Sequence, residues 1–377
     1  MSGFREAVID LAAVRANVSR LRDVIGTPHT MAVVKANGYG HGAVQVARAA
    51  LEGGADWLGV ADITEALELR NAGITAPVLA WLHDPDADFA PAIEAGIDLG
   101  ISSVTQLRQV ADAAGSLGRV ASVQLKLETG LSRNGIHESA WDEAFALAAE
   151  LEDAGTLRVL AVFSHLSNAS PADDADSIAS FERGLAAASR EGLTPELVHL
   201  ASSAGAIRIP AARYSMVRLG ISMYGLSPFS DATSEDLGLI PAMTLRGRVA
   251  SVRRVPAGAG VSYDYTWRAP VECTLALVPL GYADGVPRQA TGQAEVRIGD
   301  VRHPIVGRIA MDQFVVFADQ HSIAVGDEVV LFGDPATGAP GATEWADAAG
   351  TINYDIVTRI GARVVRRYID SEPRTAD

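Results

Sequence analysis

Of the 31 basic residues in this 377-residue chain, only Lys35 and Lys126 are lysine; the rest are arginine. Where arginine has replaced almost every lysine, a lysine that remains points to chemistry a guanidinium cannot do. A neutral amine attacks a carbonyl to form a Schiff base, and a buried ammonium gives up its proton. Both lysines close apolar, strand-like runs, 31–35 and 120–127. Other chemistry-bearing residues sit in the same relation to similar runs. His165 follows 158–163, Ser202 and Ser203 follow 197–200, and Arg218 with Gly220 and Ile221 closes 216–219.

The elements that must carry these residues are eight apolar runs: 31–35, 57–60, 77–81, 97–101, 120–127, 158–163, 197–200 and 216–219. They are separated by helix-length amphipathic stretches such as 43–51 and 141–151. That alternation predicts an α/β architecture, an N-terminal (β/α)8 TIM-type barrel, whose catalytic rim lies at the C-terminal strand ends. Both lysines then fall on that rim. The turns after strands seven and eight are where barrels hold phosphate, by hydroxyls and backbone N–H groups. Read alone, Ser202-Ser203-Ala204-Gly205 also fits a plain helix cap. A Schiff-base lysine and a phosphate site on one rim together point to pyridoxal 5'-phosphate (PLP). The spacing Gly38-x-Gly40-x-x-Ala43 loosely matches a dinucleotide fingerprint, but Lys35-Ala36-Asn37 separate it from the strand, against that reading.

After Pro228 the texture changes to strand-like segments, 245–255, 273–280, 295–298, 314–317 and 328–332, with one clear helix at 342–349. The expected organisation is a barrel over 1–232, a mostly β C-terminal domain over 233–370 and a disordered tail, 371–377. A net charge of −15 and a pI near 5.0 argue against nucleic acid and anionic membranes as partners. No apolar run reaches the 18 or more residues of a membrane span, and the N-terminus lacks a signal peptide's apolar stretch. A cytoplasmic enzyme is expected. The single cysteine, Cys273, rules out an intrachain disulfide and a cysteine-rich metal site; it lies in an apolar run and reads as core, and no metal is expected.

The run Val33-Val34-Lys35-Ala36-Asn37-Gly38-Tyr39-Gly40-His41-Gly42 resembles the PLP-lysine motif of the bacterial alanine racemases, a fold-type III PLP family. Similarity continues through Leu127-Glu128-Thr129-Gly130-Leu131-Ser132-Arg133-Asn134-Gly135, Phe163-Ser164-His165-Leu166 and Met216-Val217-Arg218-Leu219-Gly220-Ile221-Ser222-Met223-Tyr224-Gly225. In the β domain it covers Gly260-Val261-Ser262-Tyr263, Gly281-Tyr282-Ala283-Asp284-Gly285, Val306 to Gln313 and Ile352-Asn353-Tyr354-Asp355.

The resemblance implies roles residue by residue. Lys35 would hold PLP and act as one catalytic base; Tyr263 would be the other, on the opposite face of the substrate Cα. Arg218 would face the pyridine nitrogen, with His165 connecting it to Tyr263. Tyr39, Ser203, Gly220, Ile221 and Tyr354 would bind the phosphate. Arg133 and the Met311 backbone would receive the substrate carboxylate, and Tyr282 with Tyr354 would favour a small side chain. In this family Tyr263, Met311 and Asp312 reach the barrel of the other subunit, so a homodimer with shared active sites is implied. Lys126 is carbamylated in some members. The implied activity is racemisation of a small amino acid, L-alanine to D-alanine for peptidoglycan.

Other readings have their own marks. Tyr263, Tyr265 and Trp267 alternate at period two, which fits an aromatic strand face. Glu128 and Ser132 stand where many relatives have aspartate and glycine, which leaves room for serine or another small amino acid as substrate. A fold-type III decarboxylase has both domains, but generally an acid where Arg218 faces the ring. A PLP-binding homeostasis protein has the barrel without the β domain.

Overall fold

The computed structural model describes residues 3–319 and 322–371. It divides into two compact units. One comprises Asn17–Gly38 and Val46–Met223; the other takes in the N-terminal segment up to Ala16, Tyr39–Gln45 and the chain from Tyr224.

The first strand, β1 (Arg5–Asp10), belongs to the second unit. The eight strands of the first are β2 (His29–Val33), β3 (Trp57–Val60), β4 (Val78–Ala80), β5 (Asp98–Ile101), β6 (Ala121–Lys126), β7 (Leu157–Phe163), β8 (Leu197–His199) and β9 (Met216–Leu219). They form one parallel sheet in the order β8-β7-β6-β5-β4-β3-β2-β9. Its seam is nearly closed by a bridge between Ser202 and Arg218 and by the Ser215 N–H donating to Val198 O at 3.2 Å. The expected eight-stranded barrel is therefore present, each strand within a few residues of the run that predicted it. Buried on both faces, such strands read as continuous apolar runs rather than alternating ones. Met31, Leu79, Leu160, Ala161, Phe163, Leu197 and Met216 pack together in this unit. Local signals start its helices: Asp62, Ser103 and Ser170 cap Ile63–Asn71, Val104–Leu117 and Pro171–Arg190 by accepting from a backbone N–H three residues on.

The second unit carries β10 (Met243–Arg248), β11 (Ser251–Val255), β12 (Gly260–Val261), β13 (Trp267–Arg268), β14 (Cys273–Val278), β15 (Glu295–Ile298), β16 (Val301–Val306), β17 (Phe314–Asp319), β18 (Glu328–Phe332) and β19 (Val365–Ile369). Its main sheet has nine strands in the order β11-β14-β17-β16-β15-β18-β10-β1-β19. Here β1 lies antiparallel to β10 and parallel to β19, which draws the N-terminus into a sheet otherwise built from the end of the chain. The run 245–255, expected as one strand, is two. β10 pairs with β1 and β18, whereas β11 pairs with β14, so the chain must break between them to change partners. A helix over Asn353–Thr358 was not signalled by the sequence. Cys273 is buried in β14 against Val261, Leu275 and Val306. Of the expected tail, residues 372–377 lie outside the described residues, and the Ser371 hydroxyl donates to Asp10. Among the described residues no helix is long and apolar enough to cross a membrane, and no cluster of potential metal ligands occurs.

Candidate active site

Lys35 directly follows Val34, whose N–H donates to Gly59 O at 2.9 Å as the last rung beyond β2. The chain then makes a left-handed turn. Ala36, Asn37, Gly38 and Tyr39 all have φ between 51° and 61°, closed by Gly38 N–H to Val34 O at 2.7 Å. That conformation costs a non-glycine L-residue about 1–2 kcal/mol, so the surroundings must hold it. One holder is Glu65. Its carboxylate accepts from Ala36 N–H at 2.6 Å and from Ala61 N–H at 2.8 Å, while Asp62 caps the same helix. Farther on, Gly40 has φ +82°, and a Cβ there would run into the carbonyl of Val357.

The Lys35 ammonium lies 5.8 Å above the Trp81 ring. Burial first, then the charges of Arg133 and Arg218 against an opposing pull from Glu65, hold its pKa below the usual lysine value, favouring the neutral, nucleophilic amine. Lys126 ends β6 with Nζ 6.0 Å from the Phe163 ring, and burial with Arg218, Arg133 and Lys35, opposed by Glu128, brings it to about 8.

Arg218 on β9 is fully enclosed by acceptors. Its NH1 donates to Nδ1 of His199 at 2.9 Å and to His199 O at 3.3 Å. Its NH2 donates to Ser164 O at 2.8 Å, Leu200 O at 2.9 Å and Nδ1 of His165 at 3.0 Å. Burial and Arg133 lower its pKa to about 10, which leaves it charged at neutral pH. Burial, then Arg218, Arg133, Lys126 and Lys35, push His165 down to about 2. His165 is thus a neutral ring that accepts at Nδ1 and donates from Nε2.

Arg133 lies exposed on the loop after β6. Glu128 organises that loop: its carboxylate accepts from the N–H groups of Gly130 at 2.7 Å, Ser132 at 2.9 Å and Arg133 at 3.2 Å. Burial raises its pKa, but the bonds from Ser132, Gly130 and Arg133 outweigh this and hold it below the usual carboxylate range. Ser132 adopts φ +56°, a left-handed conformation that favours glycine.

At the ends of β8 and β9, the Ser203 hydroxyl accepts the Gly220 N–H at 2.9 Å, so its own proton is left to donate elsewhere. Ser203, Ile221 and Ser222 are buried, and the Ser222 hydroxyl has no hydrogen-bond partner. A buried hydroxyl without a partner is costly unless a ligand supplies the missing bond. An anionic group with several acceptor oxygens fits this turn.

In the other unit Tyr39 stacks on Tyr224 at 4.9 Å and lies 6.3 Å from Tyr354. Burial with the Tyr354 neighbour raises the Tyr39 phenol well above its ordinary value, and burial takes Tyr354 to about 12. Both are neutral hydroxyls suited to hydrogen bonding rather than to proton removal. Tyr263 is different, 67% exposed, with Tyr265 at 58% and Met311 at 53%. Its segment is a short turn, not the strand face that period-two alternation allowed; only Trp267 is in a strand. Ser262, Asp264 and Tyr265 all have positive φ. The strain is held by Ser262 Oγ donating to Arg308 O at 2.7 Å and by Arg308 pairing with Asp264 at 2.8 Å. The segments that carry Tyr282 and Met311 are joined through their backbones: Tyr282 N–H donates to Ala310 O at 3.1 Å and Ala283 N–H to Met311 O at 2.9 Å. A Cβ on Gly281 would collide with that loop. Asp312 pairs with Arg363 at 2.7 Å.

The first unit therefore brings together Lys35, Lys126, Arg133, His165 and Arg218, with Ser203, Gly220 and Ile221 in its phosphate-like turn. The second brings Tyr39 to Tyr354 and the Tyr282 segment to the Met311 loop, where Asp312 pairs with Arg363. Sequence reasoning missed Glu65, although Asp62-x-x-Glu65 at a helix start is a capping signal. It also missed the partners of His199, for which no local signal exists.

The chain matches the family models described as alanine racemase N-terminal domain, over residues 9–228, and alanine racemase C-terminal domain, over 242–368. It is 48% identical over 371 residues to the alanine racemase of Salinispora arenicola, covering 97% of this chain and 98% of that one. To that of Frankia casuarinae it is 49% identical over 367 residues, 96% of each. The crystal structure of alanine racemase from D-cycloserine-producing Streptomyces lavendulae superposes with a TM-score of 0.96 at 45% identity, covering 99% of this chain and 98% of that one. The Bacillus anthracis alanine racemase with bound L-Ala-P gives 0.88 at 34% identity, covering 98% and 96%.

Proposed function

Because the chain belongs to the alanine racemase family, an isomerase family, we propose that it interconverts L- and D-alanine using PLP held by Lys35, with Lys35 and Tyr263 as the two bases. The observation that carries this reading is the Lys35 amine, kept towards neutrality by burial between two arginine charges at the end of a barrel strand.

When bound, the cofactor spreads the negative charge left on the substrate Cα as its proton departs. The protein's own residues do the rest. Ser203, Gly220 and Ile221, with Tyr39 and Tyr354, are assigned the phosphate, and the partnerless Ser222 hydroxyl adds a further donor to that turn. Arg218 is assigned the ring nitrogen. With a pKa near 10 and five acceptors fixing it, it donates a hydrogen bond without giving up its proton. By leaving the ring nitrogen unprotonated, Arg218 would disfavour side reactions such as transamination.

Inversion needs a proton to leave one face of Cα and another to reach the opposite face. Two bases on opposite sides do this without turning the substrate over. Lys35 Nζ serves one face and the Tyr263 hydroxyl of a second subunit the other, a role that its exposure in the single chain favours. His165 Nε2, with its proton fixed by Arg218, is assigned to donate towards that phenol. Arg133 and the Met311 backbone take the substrate carboxylate, with Asp312 beside them, while Tyr282 and Tyr354 restrict the side chain to a small one. The reading comprises a cytoplasmic homodimer supplying D-alanine for peptidoglycan. A circular-dichroism assay across a panel of amino acids tests it: the rate is greatest with alanine, and a bulky amino acid turning over as fast refutes the steric part.

A further inference from the structure

A line of buried polar side chains runs through the barrel interior and ends on Arg218. Arg218 NH1 donates to Nδ1 of His199 at 2.9 Å. His199 Nε2 lies 2.9 Å from Oε1 of Gln124, and Gln124 Nε2 lies 3.1 Å from Oδ2 of Asp98. Asp98 opens β5, Gln124 is inside β6, His199 closes β8 and Arg218 lies on β9. All four are buried, and Gln124 and His199 have no exposed surface.

The chemistry at the two ends fixes the direction of every bond between them. A guanidinium only donates, so Nδ1 of His199 must accept and its proton must sit on Nε2. Nε2–H then donates to Gln124 Oε1, which turns the Gln124 amide so that its NH2 faces Asp98. A carboxyl oxygen of Asp98 is the terminal acceptor. The wrong histidine tautomer would set an N–H against the Arg218 guanidinium, and its NH1 would lose the nearer of its two acceptors. Such a relay is expensive unless every member is satisfied. An apolar layer would fill a barrel at no such risk, so its presence calls for a role.

We propose that Asp98 is a positioning residue for the racemase reaction: as the terminal acceptor of the Gln124–His199 relay, it locks His199 in the tautomer that orients the Arg218 guanidinium. The role is that of an acceptor, not of a charge. Asp98 also bonds Ser122 and lies near Arg70 and Arg158; burial raises its pKa to about 6, and even the protonated carboxyl keeps one oxygen as an acceptor. The proposal rests on the assignment of Arg218 to the cofactor ring nitrogen only for its effect on rate.

The test uses the full-length holoenzyme with ¹⁵N-labelled histidine, alongside Asp98→Asn, which keeps an acceptor oxygen, and Asp98→Leu, which removes it. In the unaltered protein His199 shows a bare Nδ1 and a protonated Nε2 from pH 6 to 9, and Asp98→Asn leaves this unchanged. Asp98→Leu mixes the tautomers and lowers kcat about ten-fold with KM within about two-fold, because the guanidinium is misplaced rather than removed. Asp98→Asn restores kcat to within about two-fold. A protonated Nδ1 on His199 in the unaltered protein overturns the proposal, and so does an Asp98→Asn variant as slow as the leucine one. If Asp98→Leu does not fold, the His199 tautomer in the unaltered protein still decides, and so does a ten-fold loss of kcat in Asp98→Asn relative to the unaltered protein. The ring-nitrogen signals do not depend on Lys35 chemistry: a chain with the expected tautomer but no cofactor on Lys35 keeps the relay and loses the functional reading instead.

Discussion

The Arg218 guanidinium donates to Nδ1 of His165 at 3.0 Å, which places the His165 proton on Nε2 and leaves a neutral imidazole beside four cationic side chains. His199, on the other side of the same guanidinium, is also held neutral, by burial and by Arg218. The folded protein therefore refuses two protons that the unfolded chain accepts. Above the unfolded histidine pKa of about 6.5 both states are neutral and nothing is lost. Below it the unfolded state gains protons that the native state does not, so stability falls as pH falls. One unit below, each ring costs about 1.4 kcal/mol. Denaturant titrations at pH 7.5 and 5.5 check this, and His165→Gln, neutral in both states, removes the His165 share of the slope, about 1.4 kcal/mol one unit below the unfolded pKa. Equal pH slopes for the two proteins contradict the assignment.

Glu65 gives a second prediction. Its carboxylate joins the turn after Lys35 to the start of the helix Ile63–Asn71. Glu65→Ala leaves the Ala36 and Ala61 N–H groups without that acceptor and costs about 2 kcal/mol in unfolding free energy. Glu65→Gln recovers only part, since it offers one acceptor oxygen and turns an NH2 towards the other N–H. A loss in Glu65→Ala below about 0.5 kcal/mol would show that the left-handed turn holds itself.

How much of this was legible in the sequence depends on whether the signal was local. The barrel strands were, because each is a short, mostly apolar run such as Trp57–Val60 or Val78–Ala80, and the lysines and Arg218 lie at or beside the ends of such runs. β1 was not: Arg5-Glu6-Ala7-Val8-Ile9-Asp10 reads as a charged segment and becomes a strand only between β10 and β19, far off in sequence. β16 was hidden by His303 and Pro304, and β19 by Arg366 and Arg367. The lysine, arginine and histidine of the candidate site were marked by residue type and by motif. The Asp98–Gln124–His199 relay was not, since its members come from three strands and no spacing records which side chains meet inside a barrel.

Tyr263 carries a third prediction. Tyr263→Phe removes one of two bases while leaving the strained turn and its Arg308 ties in place. Racemisation falls by about 10²–10⁴-fold. In D₂O, exchange of the α-proton survives for one alanine enantiomer only, the one whose proton Lys35 faces. Equal exchange of both enantiomers would contradict the two-base assignment.

Lys126 gives a fourth. A pKa of about 8, set by burial and by Arg218, Arg133 and Lys35 against Glu128, provides the neutral amine that carbamylation requires. The carbamate would place an anion where those two arginines now face a cation. Protein equilibrated at pH 8 with ¹³C-bicarbonate shows one carbamate resonance that Lys126→Arg abolishes. Absence of that resonance in the unaltered protein counts against the modification.

The most direct measurement is borohydride reduction of the yellow, PLP-loaded protein followed by peptide mapping. Stable pyridoxyl label on Lys35, absent from Lys126 and lost in Lys35→Arg, is the predicted result. Label elsewhere, or none on the peptide containing Lys35, contradicts the account.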